Sequence, residues 1–212
     1  MKWYQLPLGP LQTNCYILSN ETGECIIFDP GEEASRLIQY IHTKKYKPLA
    51  VLLTHAHFDH IGALDEVRGK FNIPAYIHSN EAKWLADPAL NGSGLFRMEP
   101  LMRMRPAEHI LKDEKELEIG GFSFKLLFTP GHSPGSVSYY VEEDGYIFSG
   151  DVLFKDSIGR TDLPGGNHNQ LIKSIHSQLL TLPENTIVMP GHGPVTTLID
   201  EMETNPFLNG FS

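Results

Sequence analysis

The sequence predicts an α/β fold in which two sheets stack as a sandwich with helices on the outer faces. Three observations carry this expectation. Short apolar runs bounded by turn formers recur in both halves of the chain, as buried strands do. Each half also contains stretches of helical periodicity able to cover a sheet. Several strand-like runs end in a tight turn followed at once by His or Asp, which places polar chemistry at strand ends.

Residues 2–29 hold three strand-like runs, Trp3 to Leu8, Cys15 to Leu18 and Cys25 to Phe28. Gly9-Pro10, Ser19-Asn20 and Thr22-Gly23 separate them. Asp29-Pro30-Gly31 ends the third, and Asp29 reads as a turn-capping residue or a carboxylate behind the site. Over 32–44, Ala34, Leu37, Ile38 and Ile41 share one helical face. The apolar run Leu49–Leu53 then predicts a buried strand, and a helix is expected over about 59–70. A strand over Ala75–Ile77 follows, then a short helix from Ser79 that stops before Asp87-Pro88. Residues 89–108 show no period and read as a long connection, either a pocket wall or a variable loop.

The second half repeats the design. Glu116–Ile119 and Phe122–Phe128 flank a Gly120-Gly121 turn, and Val137–Val141 and Tyr146–Phe148 flank Asp144-Gly145. Residues 169–180 read as a helix burying Leu171, Ile172, Ile175, Leu179 and Leu180. Ile187–Met189 is a strand, and a last helix is expected over Thr196–Met202. At 212 residues the chain is expected to form a single domain, 1–212, with a sizeable core.

Composition excludes several function classes. The formal net charge is -9 with no basic stripe, which argues against nucleic-acid binding. No segment approaches a membrane span, and the N-terminus lacks the pattern of a signal peptide. Cys15 and Cys25 lie in apolar strand-like runs and read as reduced core residues, so the cytoplasm is the expected compartment.

The chemistry concentrates in Thr54-His55-Ala56-His57-Phe58-Asp59-His60, directly after the Leu49–Leu53 strand. In an extended segment His55 and His57 point the same way, while Asp59 and His60 fall where the chain turns into a helix. One turn can thus serve two adjacent metals. His132, Asp151 and His192 each follow a strand and a glycine, repeating the pattern of strand, turn and ligand. The pooled set, His55, His57, Asp59, His60, His132, Asp151 and His192, suits two metals sharing one carboxylate with a position open to water. Zinc is the first choice for such a His/Asp set, and iron or manganese also fit.

These blocks, in this order, resemble the metallo-β-lactamase superfamily, and the resemblance runs from Trp3 to Phe207. Thr129-Pro130-Gly131-His132-Ser133-Pro134-Gly135-Ser136 and Gly159-Arg160-Thr161-Asp162-Leu163-Pro164-Gly165-Gly166 narrow it to the short bacterial glyoxalase II-like hydrolases. The resemblance implies an αββα sandwich of two mixed sheets with helices on both outer faces. It also implies that His55, His57 and His132 hold one metal, that Asp59, His60 and His192 hold the other, and that Asp151 bridges. Full-length glyoxalase II enzymes carry a C-terminal helical extension that helps bind glutathione. The present sequence ends 20 residues after His192, so the resemblance implies thioester hydrolysis without implying glutathione as the thiol.

The expected activity is therefore a dinuclear metal-dependent hydrolase of a small-molecule thioester. Asp59 both ligates and orients the attacking water, and a departing thiolate suits a zinc-like metal. The alternative is a mononuclear iron persulfide dioxygenase, which shares the first motif and an Arg-Thr-Asp stretch like Arg160-Thr161-Asp162. A β-lactamase is disfavoured because its common forms are exported and use Cys where Asp151 stands. Arg160, in a glycine-bounded loop after Asp151, is expected either to hold an anionic group of the substrate or to pair with Asp162 or Asp156. His168, close after Gly165-Gly166, is placed to border the pocket. Oligomeric state stays open.

Overall fold

The structure is a computed structural model that describes residues 1–209, so the last three residues of the expected 1–212 domain lie outside it. The chain divides into two compact units. The first comprises Met1–Lys112 with Ile119–Phe122, and the second comprises Asp113–Glu118 with the chain from Ser123 onward.

The first unit is built on a mixed sheet of β1 (Lys2–Leu8), β2 (Thr13–Ser19), β3 (Glu24–Phe28), β4 (Lys47–Leu52), β5 (Ala75–His78) and β6 (His109–Leu111), in that spatial order. β1, β2 and β3 pair antiparallel, and β3 to β6 run parallel. The parallel steps need crossovers, and helices supply the first two. α1 (Ala34–Lys44) links β3 to β4, and α2 (Phe58–Ile61) with α3 (Leu64–Phe71) links β4 to β5. Alternation along the strands sends Cys15, Ile17, Cys25, Ile27, Val51 and Leu53 into one core with Leu37 and Ile41 of α1 and Val67 of α3. Both cysteines are buried and unbridged, as the sequence suggested, and burial pushes the Cys25 thiol up to about 12.

The helix expected over 59–70 is broken after Ile61. The peptide of Gly31 takes over the helical bonding there. Its N–H donates to the His60 carbonyl at 3.1 Å, and its carbonyl accepts from the Ala63 N–H at 2.5 Å. The expected helix from Ser79 is instead two 3₁₀ turns, Ser79–Glu81 and Trp84–Ala86.

The second unit carries the other mixed sheet. Its strands are β7 (Glu116–Ile119), β8 (Phe122–Phe128), β9 (Val137–Val141), β10 (Tyr146–Gly150), β13 (Ile187–Pro190) and β14 (Thr196–Thr197). They lie in the order β14-β13-β10-β9-β8-β7, with β10 and β13 parallel. A small hairpin of β11 (Leu153–Phe154) and β12 (Ser157–Ile158) precedes α4 (His168–Ser174), and α5 (Leu198–Thr204) follows β14. Strands this short leave almost no periodic trace, which is why β6, β11, β12 and β14 are illegible in the sequence. The helix expected over 169–180 continues from α4 as a π turn over Ile175–Leu179. Ile147 and Val188 of the sheet pack with Leu171, Ile175, Leu179 and Leu198. Among the described residues no helix is long and apolar enough to cross a membrane.

Candidate metal centre

The first unit contributes a turn that leaves the middle of its sheet. β4 ends at Leu52, and the chain bends at Thr54 and passes through His55 and His57 before α2 begins at Phe58. His57 occupies the N-cap position of α2, and Asp59 and His60 lie within it. All four ligand candidates are buried, from 0% exposure at His60 to 8% at Asp59. The His55 and His57 rings lie 4.8 Å apart between centroids, and those of His55 and His60 lie 4.1 Å apart.

The neighbouring strand fixes this turn from one side. Asp29 follows β3 directly, in a left-handed backbone conformation with φ 44° that swings its carboxylate inward. Its Oδ1 accepts from the Thr54 N–H at 2.8 Å, and its Oδ2 accepts from Thr54 Oγ1 at 2.6 Å and from His60 Nδ1 at 2.9 Å. Thr54 Oγ1, having given its proton to Asp29, accepts from His55 Nδ1 at 3.0 Å. Donation from Nδ1 puts the lone pair of each ring on Nε2, the atom a metal needs. Asp29, His55 and His60 offer ligand atoms within 4.8 Å of one another. Asp29 already spends both oxygens on hydrogen bonds, so it orients the imidazoles rather than joining them. Thr13 Oγ1 donates to Asp59 Oδ2 at 2.7 Å, which fixes that carboxylate in turn.

The strand on the other side of β4 also reaches the turn. Beyond β5, the buried Glu81 accepts from the Ala56 N–H through Oε2 at 2.6 Å, and the Trp84 ring lies 5.9 Å from that of His57. The connection over 89–108 is anchored here as well. The Phe58 N–H donates to the Asn91 carbonyl at 2.9 Å, and the Phe58 and Phe96 rings lie 5.4 Å apart.

The second unit brings His132, Asp151 and His192 together. Gly131, with φ 139°, lets the chain turn from β8 into His132, and a Cβ on it would collide with the backbone of Leu171. His132 Nδ1 donates to the Arg160 carbonyl at 2.8 Å, again leaving the lone pair on Nε2. That carbonyl arrives only because Gly159 passes over Asp151, where a Cβ would run into the Asp151 carbonyl oxygen. Asp151 Oδ2 stands 3.7 Å from His132 Nε2 and 3.5 Å from His192 Nε2. In the first unit Asp59 Oδ2 stands 3.5 Å from His60 Nε2. These separations are long for hydrogen bonds. They are close to the edge of about 3.3–3.6 Å between two donor atoms bound tetrahedrally to one ion at about 2.0–2.2 Å. The donor types and these pair separations thus fit ligation of a divalent metal.

The two substrate candidates lie further out. The Arg160 guanidinium makes two bonds to Asp162, at 2.7 and 2.8 Å, with half of its side chain exposed. That partner holds the Asp162 carboxyl down at about 2. His168 is exposed at the first position of α4. From the sequence Asp29 reads either as a turn cap or as a supporting carboxylate, and no local pattern marks Thr13 or Glu81. Asp29 shares the strand-then-carboxylate pattern of Asp151, whereas Glu81 lies 25 residues from its partner inside an unremarkable polar turn.

A family model described as the metallo-beta-lactamase superfamily matches residues 8–192. The chain is 58% identical over 212 residues to the "Probable metallo-hydrolase YqgX" of Bacillus subtilis (strain 168), with 100% of both chains covered. It is 35% identical over 207 residues to the "Hydroxyacylglutathione hydrolase GloC" of Haemophilus influenzae, with 98% of each covered. The crystal structure of BLEG-1 B3 metallo-beta-lactamase matches with a TM-score of 0.97 at 56% identity, covering 99% of this chain and 100% of that one.

Proposed function

The chain belongs to the metallo-beta-lactamase superfamily, with the fold and the His/Asp metal-binding groups of a metallo-hydrolase, and from that premise we propose that it hydrolyses a thioester at a dinuclear metal centre. His55, His57 and His132 would hold one metal and Asp59, His60 and His192 the other, with Asp151 shared. The observation that carries this reading is the match of donor spacing to ligand geometry in both groups, with the Nδ1 of His55, His60 and His132 tied to oxygen acceptors. The kinship with a hydroxyacylglutathione hydrolase supports the thioester.

Two divalent ions, when bound, supply an activated water and Lewis acidity toward the carbonyl oxygen. The protein's own part is preorganisation. Asp29 and the Arg160 carbonyl hold the imidazoles in the tautomer that ligates. Asp59, braced by Thr13 Oγ1, orients the attacking water as well as ligating. Arg160 is proposed to meet an acidic group of the substrate by exchanging Asp162 for it, and His168 to border the entrance. The substrate is a small molecule, neither nucleic acid nor membrane being involved, and the compartment is the cytoplasm. The net charge of -9 agrees with the exclusion of nucleic acid.

The test is elemental analysis after reconstitution with zinc, iron or manganese, followed by a panel of thioesters monitored by thiol release. We expect about two metals per chain and turnover of a lactoyl-type thioester. Protein that binds no transition metal overturns the metallohydrolase reading. A second reading, β-lactam hydrolysis, is favoured by the 56% identity to BLEG-1 B3 metallo-beta-lactamase. Cleavage of a chromogenic cephalosporin without any thioester turnover would establish it instead.

A further inference from the structure

We propose that Glu81 is a positioning residue of the metal centre, its buried carboxylate fixing the peptide between His55 and His57 and so setting their aim. The inference rests on the reading of those histidines as ligands.

β4 lies between β3 and β5 in a parallel array, so the turns that leave the ends of β3 and β5 flank the ligand turn that leaves β4. Each flanking turn delivers one carboxylate. Asp29 takes the Thr54 N–H, just before His55, and Glu81 takes the Ala56 N–H, just after it. At the start of the turn the Leu53 N–H still donates to the Tyr76 carbonyl at 3.1 Å. The two carboxylates continue the sheet's hydrogen bonding where its strands have ended.

Energetics make Glu81 a poor incidental choice. Its side chain is 0% exposed, and a buried carboxylate is costly unless strong donors compensate it. A contact of 2.6 Å to the Ala56 N–H is short even for a charge-assisted bond. The Ala56 peptide joins the two ligands, so a swing of it would turn His55 and His57 apart. The same segment supports His57 a second time through the Trp84 ring.

Three variants test the proposal: Glu81→Gln, Glu81→Ala and Glu81→Asp. Two readouts are needed, amide hydrogen exchange at Ala56 in metal-free protein and zinc affinity by competition with a chromophoric chelator. Removing a supporting group behind a metal ligand typically costs 10–100-fold in affinity. We expect that loss in Glu81→Ala, with exchange at Ala56 at least about tenfold faster. Glu81→Gln, which keeps an acceptor oxygen in place, stays within about threefold of the parent in both. Glu81→Asp keeps the charge but draws it back by one methylene, so it behaves like Glu81→Ala and decides the matter should that variant fail to fold. A folded Glu81→Ala or Glu81→Asp protein with parental zinc affinity overturns the proposal. So does a Glu81→Gln protein with weak zinc binding and a fully protected Ala56 amide. A parent that takes up no zinc overturns the metal-centre reading and this inference with it, and parental zinc uptake unmoved by the variants overturns this inference alone.

Discussion

His132 and Arg160 are joined through the backbone of one and the ring of the other: His132 Nδ1 donates to the Arg160 carbonyl at 2.8 Å while the guanidinium turns away to Asp162. The contribution of residue 160 to the His132 ring is therefore independent of its side chain. It depends instead on Gly159, which admits the chain over Asp151 and against His132 Cβ, 3.2 Å from where a methyl would stand. Gly159→Ala is expected to push this strap outward and release the ring. Metal affinity measured with a chelator should fall at least about tenfold, in the range for losing the group behind a ligand. Arg160→Ala, by contrast, should keep the parental metal content.

Asp29→Ala removes the acceptor of three donors at once, the Thr54 N–H, Thr54 Oγ1 and His60 Nδ1. Leaving buried donors without an acceptor costs about 1–3 kcal/mol each. Partial relaxation and non-additivity bring the expected loss of stability to about 2–4 kcal/mol. The thermal midpoint and metal content should fall together. An unchanged melting curve would show that water replaces the carboxylate.

These supporting contacts mark the limit of what the sequence discloses. The ligand candidates stand out in the sequence because each is a metal-binding residue type at a strand end, with local spacing or a preceding glycine to mark it. Many of the strands stand out because runs such as β2 and β10 are apolar and bounded by turn formers, whereas the mixed character of the two sheets was implied only by the family resemblance. What holds these candidate side chains in place is not local. Thr13 meets Asp59 across 46 residues, and Glu81 meets Ala56 across 25. Only strand order brings such pairs together, and a single sequence does not state strand order. The break in the helix after Ile61 has the same origin, because it depends on the peptide of Gly31 arriving from the end of β3.

The Arg160–Asp162 pair gives a pH prediction. The Arg160 guanidinium holds the Asp162 carboxyl at about 2, below the unfolded value of about 3.9. A depressed carboxyl contributes stability above its unfolded pKa and loses it as pH falls through the folded one. That contribution should therefore be complete above about pH 4 and gone near pH 2. The pair is exposed to solvent, so the contribution is small. NMR titration of the Asp162 carboxyl should show a midpoint near 2 that returns toward about 3.9 in Arg160→Ala. In the same variant KM for an acidic thioester should rise more than KM for an uncharged one. Equal effects on both substrates would leave Arg160 as one half of a surface pair.

The last prediction separates hydrolase from dioxygenase. With a single iron, Asp59, His60 and His192 stand outside the chemistry, and losing one of them leaves much of the activity. With two metals they hold the second ion, which His60→Ala or His192→Ala would discharge. His60 makes the sharper test. Its Nδ1 is committed to Asp29 at 2.9 Å and its Nε2 faces Asp59 Oδ2 at 3.5 Å, so the ring is held in one orientation. Removing either histidine should cost several kcal/mol of transition-state stabilisation, about 10³-fold in kcat/KM. His192→Ala controls for packing, because its side chain is 29% exposed where that of His60 is fully buried. Thiol release from a lactoyl-type thioester, run beside oxygen uptake with a persulfide, reads both activities on one preparation. The expected result is thiol release in the parent, its collapse in both variants and no oxygen consumption. Oxygen uptake by iron-loaded protein that persists in His192→Ala would transfer the chain to the dioxygenase class.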